Sequence, residues 1–311
     1  MTLLQDSEQS AWLSTPSCDR LAAEGTRFTR AYASNPVCVP ARFSMFTGRM
    51  PSAIGMRDND STCTPFAPAD DRAGLGHMLG RAGYSCHYGG KVHWPVGLTP
   101  ERLGFNMFCK DERERLAVET ADLIRQRATH RGQPYDAPWL IVSSLINPHD
   151  ICYHALRAHA LSGGAADPTV GKRSAPDAAT GAGAQAARGR AKMQGIFERG
   201  APQIQELAAL DEALLPPKDV DHETFLRDHL PPLPPNHAPQ RSEPEQLKRF
   251  LDERPFQRWA REEWTETEWR LHRWAYARLM ERVDKQIGVL LDALDSSGQA
   301  DDTLVIFTSD Q

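Results

Sequence analysis

The chain has 311 residues, with 40% hydrophobic and 25% charged, and a formal charge of -5. That is enough length for one large core, and the balance is that of a globular protein. A net negative surface excludes nucleic-acid binding by overall positive charge. No apolar run reaches the roughly 18 residues that a membrane helix needs, and the polar start from Met1 to Asp19 lacks the basic-then-apolar order of a secretory signal.

In chain order, Asp19–Glu24 reads as a short helix stopped by Gly25, and Thr26–Ala33 as a strand. Ala41–Thr47 reads as a helix whose first turn follows Pro40, because a missing N–H costs nothing at a helix start. Asp71–Arg81 is helical, ended by Gly83, and Tyr84–Tyr88 is a short strand. The long helix Glu112–His130 leads into Trp139–Ile146, a continuous apolar run expected of a strand buried on both faces of a parallel sheet. Thr267–Leu294 is a helix with Tyr276, Met280, Val283, Ile287, Leu290 and Leu294 at helical spacing, and Thr303–Thr308 is a second buried strand. Helices alternating with apolar strands predict an α/β layered fold. Residues 160–191 are dominated by Ala and Gly and predict a mobile insertion, and the proline-rich stretch Asp228–Pro239 an extended surface crossing.

The six cysteines form no C-x-x-C pair, which argues against structural zinc and for free thiols. One of them has informative neighbours. Cys38 lies beside a predicted helix start with Arg42 four residues later, and a helix N-terminus and a guanidinium together favour an anion there.

Cys38-Val39-Pro40-Ala41-Arg42 followed by Thr47-Gly48-Arg49 resembles the sulfatase signature C-x-P-x-R with its T-G-R tail. Further segments resemble the same family in the same order. They are Thr15-Pro16 with Asp19 to Gly25, Gly90-Lys91-Val92-His93, Pro148-His149, and Thr303–Gln311 ending in Ser309-Asp310-Gln311. The resemblance implies an alkaline phosphatase-like fold, with a mostly parallel central sheet flanked by helices, and a sulfate ester hydrolase. It implies that a formylglycine-generating enzyme oxidises Cys38 to formylglycine, whose hydrate has one hydroxyl to attack sulfur and a second to release sulfate. Arg42 would hold the nucleophile and neutralise developing charge. Lys91 would bind a sulfate oxygen. His93 and His149 would serve the reacting hydroxyl and the leaving group. Lys91 and His93, two apart on an extended segment, are expected on one side.

Asp310 and Gln311 offer hard oxygens for a divalent metal, calcium first and magnesium second, and match two of the family's metal ligands. Nothing before Thr15 resembles the family's first strand with its acidic pair, and the family continues beyond Gln311. The expectation is therefore one catalytic domain over residues 1–311, lacking its first strand and its C-terminal part, and a poor catalyst by itself. Two other readings stand beside this one: a phosphonate or phosphate ester hydrolase of the same superfamily, and a non-catalytic fragment. The expected partners are a small-molecule or carbohydrate sulfate ester and the maturation enzyme, with no nucleic acid and no membrane span. Localisation is open.

Overall fold

The computed structural model describes residues 12–56, 58–59, 74–95, 97–133, 136–162, 204–240, 242–252 and 254–311. The chain divides into two compact units: Ser17–Ile146 with Asp284–Gln311, and Met1–Pro16 with Asn147–Val283.

The first unit carries three parallel strands: β1 (Ser85–Gly90), β2 (Asn106–Cys109) and β3 (Trp139–Ser144). Their order is β2-β1-β3, so β1 is paired on both sides, with Ser85 opposite Trp139 and Gly90 opposite Ser144. Parallel neighbours need crossovers. One runs through a 3-10 turn at Glu101–Leu103, the other through helix Leu116–Thr129. The remaining helices of this unit are Pro16–Glu24, Cys38–Thr47, Leu75–Arg81, and the C-terminal part of a long helix, Glu266–Ser296. We number the helices in chain order: α1 (Pro16–Glu24), α2 (Cys38–Thr47), α3 (Leu75–Arg81), α4 (Leu116–Thr129), α5 (Cys152–Leu161), α6 (Ile204–Ala213), α7 (Glu245–Asp252), α8 (Pro255–Glu263) and α9 (Glu266–Ser296).

Apolar side chains from α2, β1 and the loop after β1 form the main core of this unit. Phe43, Phe46, Met56, Tyr88, Trp94, Leu103 and Phe105 are all buried in one cluster. Tyr88 meets Phe46, Trp94 and Phe105 edge-on, with ring centroids 5.5, 5.1 and 5.7 Å away, the geometry that aromatic quadrupoles prefer. A second cluster joins Ala121 and Ile124 of α4 to Ala293 and Leu294 of α9.

In the second unit, Ile151, Ala209, Leu210, Ala213, Ala275 and Leu279 make one small core. Phe225, Leu230 and Trp274 make another. Among the described residues no helix is long and apolar enough to cross a membrane.

Several predicted elements differ from those observed. Residues 26–33 form no strand and are exposed; their apolar members Phe28 and Tyr32 are 79% and 87% exposed, so no packing favours a ladder there. Thr303–Thr308 is neither a strand nor buried, and Leu304 and Ile306 are 85% and 76% exposed. Its apolar run finds no ladder partner among the described residues. β3 is half-buried along most of its length rather than buried on both faces. Tyr276 is exposed, and the buried seam of α9 runs instead through Ala275, Leu279, Val283, Ile287, Leu291 and Leu294. The stretch Asp228–Pro239 begins in a π-helical turn, Phe225–His229, before it extends. The Ala/Gly-rich insertion lies outside the described residues from 163 onward.

Candidate active site

Helix α2 begins at Cys38 itself, three residues earlier than its predicted start, so Pro40 sits third in the helix. The position still suits proline, because the first N–H groups of a helix have no partner within it. The Val39 N–H is satisfied from outside by Asn59 Oδ1 at 2.9 Å, and the first intrahelical bond runs from Ala41 N–H to Val37 O at 2.9 Å. The other end explains the glycine of Thr47-Gly48-Arg49. Gly48 caps the helix at φ 66°, left-handed, with its N–H on Ser44 O, a conformation that side chains with a Cβ disfavour.

One turn after Cys38, the buried Arg42 side chain reaches the carboxyl ends of β1 and β3. Its Nε donates to Val92 O at 3.0 Å. Its Nη2 donates to the Tyr88 hydroxyl at 2.8 Å and the Ser144 hydroxyl at 2.5 Å, and also to Lys91 O. Its Nη1 pairs with Asp310 Oδ2 at 3.1 Å. A buried guanidinium is tolerable only when paired and hydrogen-bonded in this way. Gln311 Nε2 in turn donates to Cys38 Sγ at 3.2 Å. Cys38, Arg42, Asp310 and Gln311 thus form one connected group, with the Lys91 backbone built into it.

Gly90, at φ 87°, ends β1 where an added Cβ would collide with Ser144 O and the Leu116 side chain. The next residue, Lys91, is buried, and its N–H continues the sheet onto Ser144 O at 2.8 Å.

His93 departs from expectation. It is exposed and left-handed at φ 41°, while Lys91 is buried. The extended alternation that would place both on one side is broken by this turn, which coincides with the burial of Trp94 in the aromatic core. His149 lies in the second unit, at the head of the 3-10 turn His149–Ile151, with its ring 6.4 Å from that of Tyr153.

Two members of the Arg42 group escaped the sequence reading. Tyr88 is fully buried, and burial raises its hydroxyl's pKa above the usual tyrosine value against the opposing pull of Arg42. Ser144 closes β3. Both lie inside segments whose apolar character signals a strand, and only strand pairing reveals that they meet Arg42.

Asp310 and Gln311 are oxygen donors of the right chemistry for calcium or magnesium, but hard cations take about six to eight oxygens. Among the described residues no group of three or more His, Cys, Asp or Glu gathers for a metal, and Asp310 already pairs with Arg42. The described donors suit such an ion in kind and fall short in number.

Comparison with known proteins follows the same lines. The chain is 41% identical over 81 residues to the protein named Uncharacterized sulfatase YidJ of Escherichia coli (strain K12), covering 26% of this chain and 15% of that one. It is 36% identical over 161 residues to the Ulvan-active sulfatase of Formosa agariphila, covering 43% and 30% respectively. Among solved structures, a sulfatase from Bacteroides thetaiotaomicron described as putative superposes with a TM-score of 0.53 at 19% identity, covering 91% of this chain and 49% of that one. A 2-O GAG sulfatase superposes with a TM-score of 0.51, also at 19% identity and the same coverage. The chain therefore spans about half the length of these structural neighbours, and the likeness shows the α/β alkaline phosphatase-like fold. The family model described as Sulfatase matches residues 5–311, nearly the whole chain, and with the Cys38–Arg42 group in place this chain belongs to the sulfatase family.

Proposed function

We propose that the protein hydrolyses sulfate esters at residue 38. The observation that best supports this is the connected group at the head of α2, where Gln311 donates to Cys38 Sγ and Arg42, one turn on, is held by β1, β3 and Asp310. Formylglycine at residue 38 would supply two hydroxyls on one carbon, one for attack and one for release of sulfate. The helix start at residue 38 favours negative charge there. Arg42 is pre-set by its hydrogen bonds, so it can meet charge developing on the sulfuryl oxygens without reorganising. Lys91 adds a second cation, its buried stem fixed by the strand end. His93, exposed on the following turn, is assigned to the reacting hydroxyl. Asp310 and Gln311 are the candidate donors for calcium or magnesium, with the remaining ligands to come from outside the described residues. The substrate class is a small-molecule or carbohydrate sulfate ester, and maturation calls for a formylglycine-generating enzyme.

The test is release of a chromogenic phenol from an aryl sulfate by protein co-expressed with that enzyme, with calcium or magnesium present. The expected result is turnover, low for residues 1–311 by themselves, that Cys38→Ala abolishes. Turnover unchanged in Cys38→Ala would overturn the reading, and preference for an aryl phosphonate would move the assignment to ester hydrolysis at phosphorus.

A further inference from the structure

We propose that Tyr88 is a positioning residue that sets the orientation of the Arg42 guanidinium and of the Lys91 backbone through a single hydroxyl. The inference rests on the sulfatase reading of the site and adds to it a residue outside the signature segments.

The phenol oxygen accepts from Arg42 Nη2 at 2.8 Å and its hydrogen is donated to Lys91 O at 2.6 Å. Tyr88 therefore joins two groups that the proposed function assigns to the anion site. Arg42 Nη2 has only two hydrogens but three acceptors in reach: Tyr88, Ser144 and Lys91 O. The charge would stay satisfied if one were lost, so the hydroxyl is not needed to make burial of Arg42 tolerable. Its contribution is directional: besides accepting from Nη2 it donates to Lys91 O, so it ties the position of the guanidinium to that of the Lys91 carbonyl. Nη1 is thereby left aimed at Asp310.

The same hydroxyl fixes Lys91 from its carbonyl side, while the Lys91 N–H is tied to Ser144 O. Both polar groups of that peptide segment are then committed at the point where β1 gives way to the turn carrying His93. The ring itself cannot adapt. It is 0% exposed and meets Phe46, Trp94 and Phe105 edge-on. Burial raises the hydroxyl's pKa above the usual tyrosine value, so at neutral pH it is protonated and donates to Lys91 O.

Tyr88→Phe separates the hydroxyl from the ring, because phenylalanine keeps the edge-on packing. The full chain labelled with 15N-arginine gives one measurement, with the Arg42 side-chain resonances assigned by loss in Arg42→Lys. In the parent chain the Nη hydrogens should be resolved by hindered rotation. In Tyr88→Phe, with Ser144 and Lys91 O still holding Nη2, they should stay resolved but shift, with the melting temperature within a few degrees of the parent. The second measurement is calorimetric binding of inorganic sulfate. Affinity should fall about fivefold in Tyr88→Phe, the size of one ordinary hydrogen bond, and be lost in Arg42→Ala. Unchanged Arg42 resonances and unchanged sulfate affinity in Tyr88→Phe, with binding lost in Arg42→Ala, would overturn the positioning role and leave the sulfatase reading standing. Sulfate binding indifferent to Arg42→Ala, or no sulfate binding by the parent chain, would overturn both.

Discussion

Arg42 and Asp310 are 268 residues apart in sequence and form an ion pair of 3.1 Å, with side chains only 7% and 20% exposed. The pair joins the first helical turn after Cys38 to the penultimate residue of the chain. Among the described residues Asp310 is the carboxylate that pairs with Arg42, whose other partners are neutral oxygens. Asp310→Ala should therefore leave a buried cation short of its counter-charge and cost about 1–3 kcal/mol of stability, between the values for exposed and fully buried pairs. Asp310→Asn should recover part of this through a neutral hydrogen bond. Urea unfolding of the three proteins checks it; equal midpoints would show that the pair contributes nothing.

Cys38 should be the residue modified during maturation. Co-expression with a formylglycine-generating enzyme should lower the mass of the peptide containing Cys38 by the difference between a thiol and an aldehyde. Arg42→Lys should leave this peptide identifiable as a control on recovery. Recovery of only the free thiol from folded, co-expressed protein would count against the assignment.

Asp284 tests how α1 is attached within its unit. This residue is 2% exposed, and its carboxylate accepts from Ser17 N–H at 3.1 Å and Cys18 N–H at 2.8 Å. It thus caps the start of α1 from α9, satisfying donors the helix cannot satisfy itself. Asp284→Ala should cost about 1–3 kcal/mol, read from the unfolding midpoint. The same packing pushes the Cys18 thiol up to about 12, first by burial and then by its hydrogen bond to Asp284. Iodoacetamide at pH 8 should accordingly label the exposed Cys152 first and Cys18 only on unfolding. Rapid labelling of Cys18 in the folded parent would contradict the buried placement.

His154 and His272 should make the second unit sensitive to acid. Their Nδ1 atoms are 3.2 Å apart and their ring centroids 5.4 Å apart, about one ring diameter further, so the imidazoles meet edge to edge and share one hydrogen. Burial lowers both pKa values from 6.5 to about 4, with His272 and Arg157 adding to the effect on His154. The unfolded chain takes up these protons first. Stability is therefore fully present above about pH 6.5, falls as pH drops, and stops falling below about pH 4. The slope is about 1.4 kcal/mol per pH unit for each proton taken up. Urea midpoints at pH 7, 5.5 and 4.5 should show this slope in the parent and a shallower one in His272→Phe. An identical slope in the two proteins would remove the pair as its source.

The sequence by itself determined the class of fold. The alternation of periodic helices with apolar runs gave the α/β order, and Pro40 marked a helix start beside Cys38. These are local properties, set by a few neighbouring residues. Tertiary structure alone decided which apolar runs became strands. Trp139–Ser144 found a partner in β1, whereas residues 303–308, equally apolar, found none among the described residues and stayed exposed. Strand formation depends on distant pairing rather than on propensity. It also decided that Tyr88 and Ser144, ordinary members of apolar segments, would hold Arg42, and that His93 would turn away from the extended line through Lys91. A buried guanidinium recruits whatever oxygens the strand ends bring within 3 Å, and that proximity is a property of the sheet register, which no local pattern encodes.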